Sequence, residues 1–153
     1  MDKNQQKHIR RLQDNLASIR KIAGWTAEQL GEKIGVTKQT ISNLENNKSP
    51  MNLTQYIAIR SVLDHEIQSN PENTVLPEVV AILLDNDDID ENKYDEIKKA
   101  VSVAAVSAAG GIGGSTLAGI LTGLFVPLGI TFPVVSGIAG VNAAKWLSKI
   151  IKK

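Results

Sequence analysis

Lys38, Gln39, Ser42 and Asn43 are the residues whose types and spacing point to a chemistry. On an α-helix, positions three and four apart share a face, so these four project outward while Ile41 and Leu44 turn inward. Lysine donates to guanine O6 and N7, and glutamine or asparagine can pair bidentately with adenine N6 and N7. The start of such a helix also directs backbone N–H groups toward phosphate. This is recognition chemistry rather than turnover. No serine, histidine and acid stand in a context that supports nucleophilic catalysis, and His8 and His65 are far apart. The chain has no cysteine, which excludes disulfides and thiolate metal sites. Neither an enzyme, a metal nor a cofactor is expected.

The elements that must hold this face are short helices. Ile9, Leu12, Leu16, Ile19 and Ile22 recur at three- and four-residue spacing and predict a first helix of about 14 residues that Gly24 ends. Thr26 is a good cap for a second helix through Ile34, with Ala27, Leu30 and Ile34 inward. Gly35 supplies a turn residue free to take positive φ. Thr37 caps a third helix running to about Asn46, and Asn47 suits the left-handed position after it. Leu53, Tyr56, Ile57, Val62 and Leu63 mark a fourth helix starting after Pro50 and Asn52. Leu30, Ile34, Ile41 and Leu44 form the seam between the second and third helices, with Gly31 allowing close approach. A helix that enters the major groove needs such a partner packed across it and a tight turn between the two.

The run GWTAEQLGEKIGVTKQTISNLENNK resembles the lambda-repressor/Cro-type (XRE) helix-turn-helix family, in register from about Leu12 to Ile67. The resemblance implies an all-α, four- or five-helix DNA-binding domain over residues 8–68 and a transcriptional regulator, expected to be a repressor, bound to double-stranded DNA. It implies base contacts from Lys38, Gln39 and Asn43 with Ser42 nearby, and phosphate contacts around Thr26, Asn46 and Lys48; Thr37 and Thr40 complete the expected DNA-binding set. It also implies an Arg20–Glu45 ion pair tying the first helix to the third. Family members pair two heads about one helical turn, roughly 34 Å, apart, so a homodimer is expected. Three positions depart from the family pattern. Ala27 replaces a phosphate-contacting glutamine and should weaken anchoring; Gly31 replaces alanine and Asn47 replaces glycine, both expected to be conformationally mild.

Charge divides the rest of the chain. Residues 1–70 carry +3, residues 71–99 carry −6 and residues 100–153 carry +4. Residues 69–99 read as an acidic linker with short helices, one over Leu76–Leu84 with Pro77 in its first turn, another begun by Asp90. The linker shows no obvious apolar face shared with the head. Asp85 to Glu96 matches a calcium loop at its first, third and twelfth positions, but Ile89 and Asp90 stand where an oxygen ligand and a glycine are needed.

Residues 100–144 carry no charge over 45 positions and hold nine of the twelve glycines. Residues 100–153 are therefore read as a glycine-rich apolar helical hairpin: one helix from about Ala100 to Val126, a turn at PLGITFP, and a second helix running from Pro133 into WLSKIIKK. Such a tail serves either membrane association or soluble self-association, and a membrane-active, pore-forming-like effector carrying a DNA-binding head is the alternative. In lipid, Lys98, Lys99, Lys145, Lys149, Lys152 and Lys153 would lie on the cytoplasmic side and Trp146 at the interface. Gly110/Gly114 and Gly119/Gly123 would let helices approach closely. Met1 to Arg11 is polar and lacks the apolar stretch of a signal peptide, so the expected place is the cytoplasm, anchored to the inner face of the cell membrane if the tail inserts.

Overall fold

A computed structural model describes residues 3–86, 89–109, 119, 123 and 145–151. The architecture is all-α: α1 (Lys3–Ile22), α2 (Ala27–Ile34), α3 (Lys38–Glu45), α4 (Leu53–Ser69), α5 (Val75–Leu84), α6 (Glu91–Ala109) and α7 (Lys145–Ile150). α1 is the central strut. It packs against α3, α4, α5 and α6, while α2 packs against α3 and α4.

α1 starts earlier than its apolar stripe predicts, and in the added turns His8 is buried and Gln5 Nε2 donates to the Ile150 carbonyl (2.6 Å). Beside Ile9, Leu12, Leu16, Ile19 and Ile22, it buries His8, Arg11 and Asn15. Arg11 donates to the Asn86 carbonyl (2.9 Å) and stacks its guanidinium 4.9 Å from the centroid of the Tyr94 ring. Asn15 donates to the Tyr94 hydroxyl (2.8 Å). A buried polar group costs stability unless it is hydrogen-bonded, so Arg11 and Asn15 can be buried here because they find partners brought by α5 and α6.

The segment predicted as a linker does share a core with the head, which corrects the expectation that it has no common apolar face. Val75, Leu76, Val79, Leu83, Tyr94, Ile97 and Val101 are buried in one cluster with Leu12, Leu16 and Ile19. Asn73 joins the two parts: its amide donates to the Ile22 carbonyl at the end of α1 (2.9 Å), and its Oδ1 accepts from the Leu76 amide (3.1 Å). α6 begins where Asp90 accepts from the Lys93 amide (2.8 Å), as the cap predicted. It then runs through residue 100 without a break, so Ala100 continues this helix rather than starting a new one. Ala100, Val101, Ala104 and Ala105 are buried.

The last helix supplies a second correction. Trp146, expected at a lipid interface, is buried against α4 instead. Its ring meets Tyr56 edge-on (5.9 Å between centroids), Arg60 stacks on it (4.9 Å), and its Nε1–H donates to Asp64 Oδ2 (2.6 Å). Arg60, also buried, is held by a two-pronged bond to Asp85 (3.0 and 3.1 Å). Burial pushes the Tyr56 hydroxyl up to about 12 and raises the Asp64 carboxyl above its ordinary value, against the opposing pull of the Trp146 hydrogen bond and Arg60. Among the described residues, no helix is long and apolar enough to cross a membrane. The predicted hairpin falls mostly on residues 110–144, which apart from 119 and 123 lie outside the described residues.

Candidate nucleic-acid interface

The α2–α3 pair is built by its caps. Thr26 Oγ1 accepts from the Gln29 amide (3.0 Å) and Gln29 Oε1 accepts from the Thr26 amide (2.8 Å), a reciprocal box that starts α2. Gly35 ends α2 at φ 77°. Thr37 starts α3 by accepting from the Thr40 amide (3.1 Å), and the two hydroxyls lie 3.0 Å apart. Asn47 takes φ 57°, the left-handed conformation predicted for it. Leu30, Ile41 and Leu44 are buried at the seam, with Ile34 partly buried beside them.

Gly31 is not a mild departure in this chain. A Cβ there would lie 2.6 Å from the Val36 carbonyl oxygen and 3.2 Å from the Thr37 carbonyl carbon. Both are backbone atoms of the turn between the helices. The same glycine's carbonyl accepts from the Val36 amide (2.9 Å), so the tight approach and the turn are one feature.

Three side chains fix the angle of α3. Arg20 grips Glu45 with two bonds (Nε to Oε2, 2.6 Å; Nη2 to Oε1, 3.1 Å) and donates its remaining prong to the Trp25 carbonyl (2.8 Å). Each side chain of the pair is 12% exposed, so it is shielded from the solvent that weakens surface pairs. Gln13 does the same for the loop after α3. Its amide donates to the Leu44 (3.0 Å) and Ser49 (2.8 Å) carbonyls, while its Oε1 accepts from the Met51 amide (2.9 Å). Sequence reasoning missed Gln13, because a glutamine on a polar stretch of helix carries no signal of its partners. The Thr26–Gln29 box could have been found from the T-A-E-Q spacing.

The predicted contact residues differ in exposure. Thr26, Thr37, Lys38, Gln39, Asn46 and Lys48 are exposed, while Thr40, Ser42 and Asn43 are half-buried. Gln39 Nε2 donates to Asn43 Oδ1 (2.9 Å) across one helical turn. That bond leaves Gln39 Oε1 as an outward acceptor and Asn43 Nδ2 as an outward donor. Asn46 is turned back on the helix, donating to the Ser42 carbonyl (2.9 Å). Thr26 and Thr37 spend their hydroxyls on the caps of α2 and α3. The arrangement can bind a polar, anionic surface. Among the described residues, no group of His, Asp and Glu could hold a metal ion.

Comparison with known proteins agrees with this geometry. A family described as helix-turn-helix matches residues 16–65. The chain is 36% identical to the antitoxin HipB of Escherichia coli (strain K12) over 62 residues, 37% of this chain and 70% of that protein. It is 41% identical to the antitoxin HipB of Escherichia coli O6:H1 over 46 residues, 30% of this chain and 49% of that protein. No solved structure matches the chain. The match takes in the caps, the turn and α3 with its outward face, and the chain belongs to the XRE-type helix-turn-helix family of DNA-binding transcriptional regulators.

Proposed function

We propose that the chain is a non-enzymatic, sequence-specific repressor that binds double-stranded DNA in the cytoplasm as a homodimer. Residues 8–68 are the reading unit, and α5 and α6 brace it. The observation that carries this reading is the Gln39–Asn43 pair, which meets solvent on α3 between two capped ends. Gln39 Oε1 suits the adenine N6 amino group and Asn43 Nδ2 suits N7, so the two side chains can share one base. Lys38 lies beside them for guanine. Thr26, Thr37, Thr40, Asn46 and Lys48 flank them on the phosphate side, with Ser42 filling the space between. One head of this size reads only a half-site, so a pseudo-palindrome with half-sites about 34 Å apart is expected. Footprinting the full chain on a duplex selected from random sequence tests this. Two protected half-sites bound by two chains support the dimer, and a single half-site bound by one chain at full affinity contradicts it.

The relatives are named antitoxins, and a second reading gives this chain an antitoxin role beside repression. Loss of growth when the chain is depleted, restored by a variant that cannot bind DNA, would favour that role over repression. The membrane-anchoring and pore-forming readings narrow to residues 110–144, since Ala100, Val101, Ala104 and Trp146 are buried with the head. Flotation of the full chain with vesicles of anionic lipid tests anchoring, and dye release from the same vesicles tests permeabilisation. A protein that neither floats nor releases dye leaves self-association as the role of the uncharged stretch.

A further inference from the structure

α1 begins 13 residues before the family match starts at residue 16, and its added turns carry a row of cations. Lys3, Lys7 and Arg10 recur at four- and three-residue spacing, and all three are exposed. Such spacing sets them in one row along the helix. Lys3 and Lys7 lie toward its N-terminal end, which Gln5 ties to the Ile150 carbonyl (2.6 Å), and Arg10 lines a groove together with Gln6, Gln13, Asp14, Asn47 and Ser49. Asn47 and Ser49 flank Lys48, the loop cation expected at phosphate. Gln13 pins this loop to α1 through its three bonds, so the row and the loop keep a fixed relation. Arg11, by contrast, is buried and donates to the Asn86 carbonyl, so the cations of these first turns are sorted by face: Arg11 inward, and Lys3, Lys7 and Arg10 outward.

We infer that Lys3, Lys7 and Arg10 form a second phosphate-binding strip, continuous with Lys48, that grips the DNA backbone beyond the bases α3 reads. The inference rests on the DNA-binding reading above. From Lys3 to Arg10 the helix rises about 10 Å, the axial rise of about three phosphates on one strand. Asp14 bounds the strip at its inner end, because the next exposed position of the row is acidic. The strip adds affinity and footprint length but no sequence preference, since phosphate contacts position a protein without reading bases.

The test uses the full chain and the selected duplex in two lengths, one trimmed to the half-sites and one carrying flanks. Lys3→Ala, Lys7→Ala and Arg10→Ala are combined, and affinity is measured between 50 and 200 mM salt. Each cation withdrawn from a phosphate flattens the log–log salt slope by about 0.9, so the six withdrawn from a dimer, three per chain, flatten it by about 5.4. On the flanked duplex the gap between wild type and variant then narrows about 2,000-fold across that salt range. On the trimmed duplex the two bind alike. A Lys98→Ala/Lys99→Ala control on α6 removes charge elsewhere and should leave the slope unchanged. A variant that keeps the wild-type slope on the flanked duplex overturns the strip while leaving DNA binding intact. A control that flattens the slope in proportion to its charge overturns it too, because the effect is then one of net charge. Wild type that binds neither duplex overturns the repressor reading, and this inference with it.

Discussion

Replacing Gly31 with alanine sets two effects of opposite sign against each other. Alanine in a helix interior is favoured over glycine by about 1 kcal/mol. Against this, the new Cβ would meet the Val36 carbonyl oxygen at 2.6 Å and the Thr37 carbonyl oxygen at 3.3 Å. Neither atom ends a flexible side chain. Relieving the clash requires the turn to open, which disturbs the Val36–Gly31 bond and the Thr37 cap. Overpacking of this kind costs about 1–3 kcal/mol, so the clash should win by about 1 kcal/mol. For a chain of this length that lowers the melting temperature by about 3 °C. Urea unfolding followed by helical circular dichroism measures the change, with the slope checked for constancy. DNA affinity, measured where the variant is fully folded, should also fall, because opening the turn rotates α3 against α2. Stabilisation of about 1 kcal/mol with unchanged affinity would refute the reasoning and show that the turn yields freely.

Asp64→Asn should stabilise the protein at neutral pH. Burial holds the Asp64 carboxyl above its ordinary value, so its contribution is fully present below the unfolded pKa and is lost as pH rises through the folded one. The difference in stability between wild type and Asp64→Asn should therefore change with pH across that window, with asparagine still accepting from Trp146; a difference that is flat with pH would contradict it. Removing residues 100–153 should destabilise the head by several kcal/mol rather than leave it intact, because Val101, Ala104, Trp146 and Ile150 leave the core. An unchanged urea midpoint for residues 1–99 would show that α7 and the part of α6 from Ala100 onward contribute little.

Legibility in the sequence followed the kind of force involved. Thr26, Thr37 and Asp90 declared their helices because a cap is a local bond between a side chain and an amide three residues on. Gly35 and Asn47 declared their turns because few residue types accept positive φ. The apolar stripe of α1 was equally readable, yet its second face was not. Arg11 and Asn15 look solvated until Asn86 and Tyr94 arrive from far along the chain. Burial through such polar bonds leaves no hydrophobic periodicity on that face of α1, so nothing there announced where the apolar side chains of α5 and α6 dock. Trp146 misled for a related reason: a tryptophan before a lysine-rich end suits a lipid interface, while its actual partners, Tyr56, Arg60 and Asp64, sit some 80 residues earlier. At the interface, the outward face of α3 was legible from spacing alone. Gln13, which holds the loop behind it, was not.

The central claim is that α3 reads bases through Gln39 and Asn43, and a paired affinity measurement tests it most directly. Gln39→Ala and Asn43→Ala are each titrated at fixed salt against the selected duplex and against a scrambled duplex of equal length. Each substitution should cost about 1–3 kcal/mol on the selected duplex and leave the scrambled one nearly unchanged. Equal losses on both duplexes, or no loss on either, would contradict the assignment of the reading face.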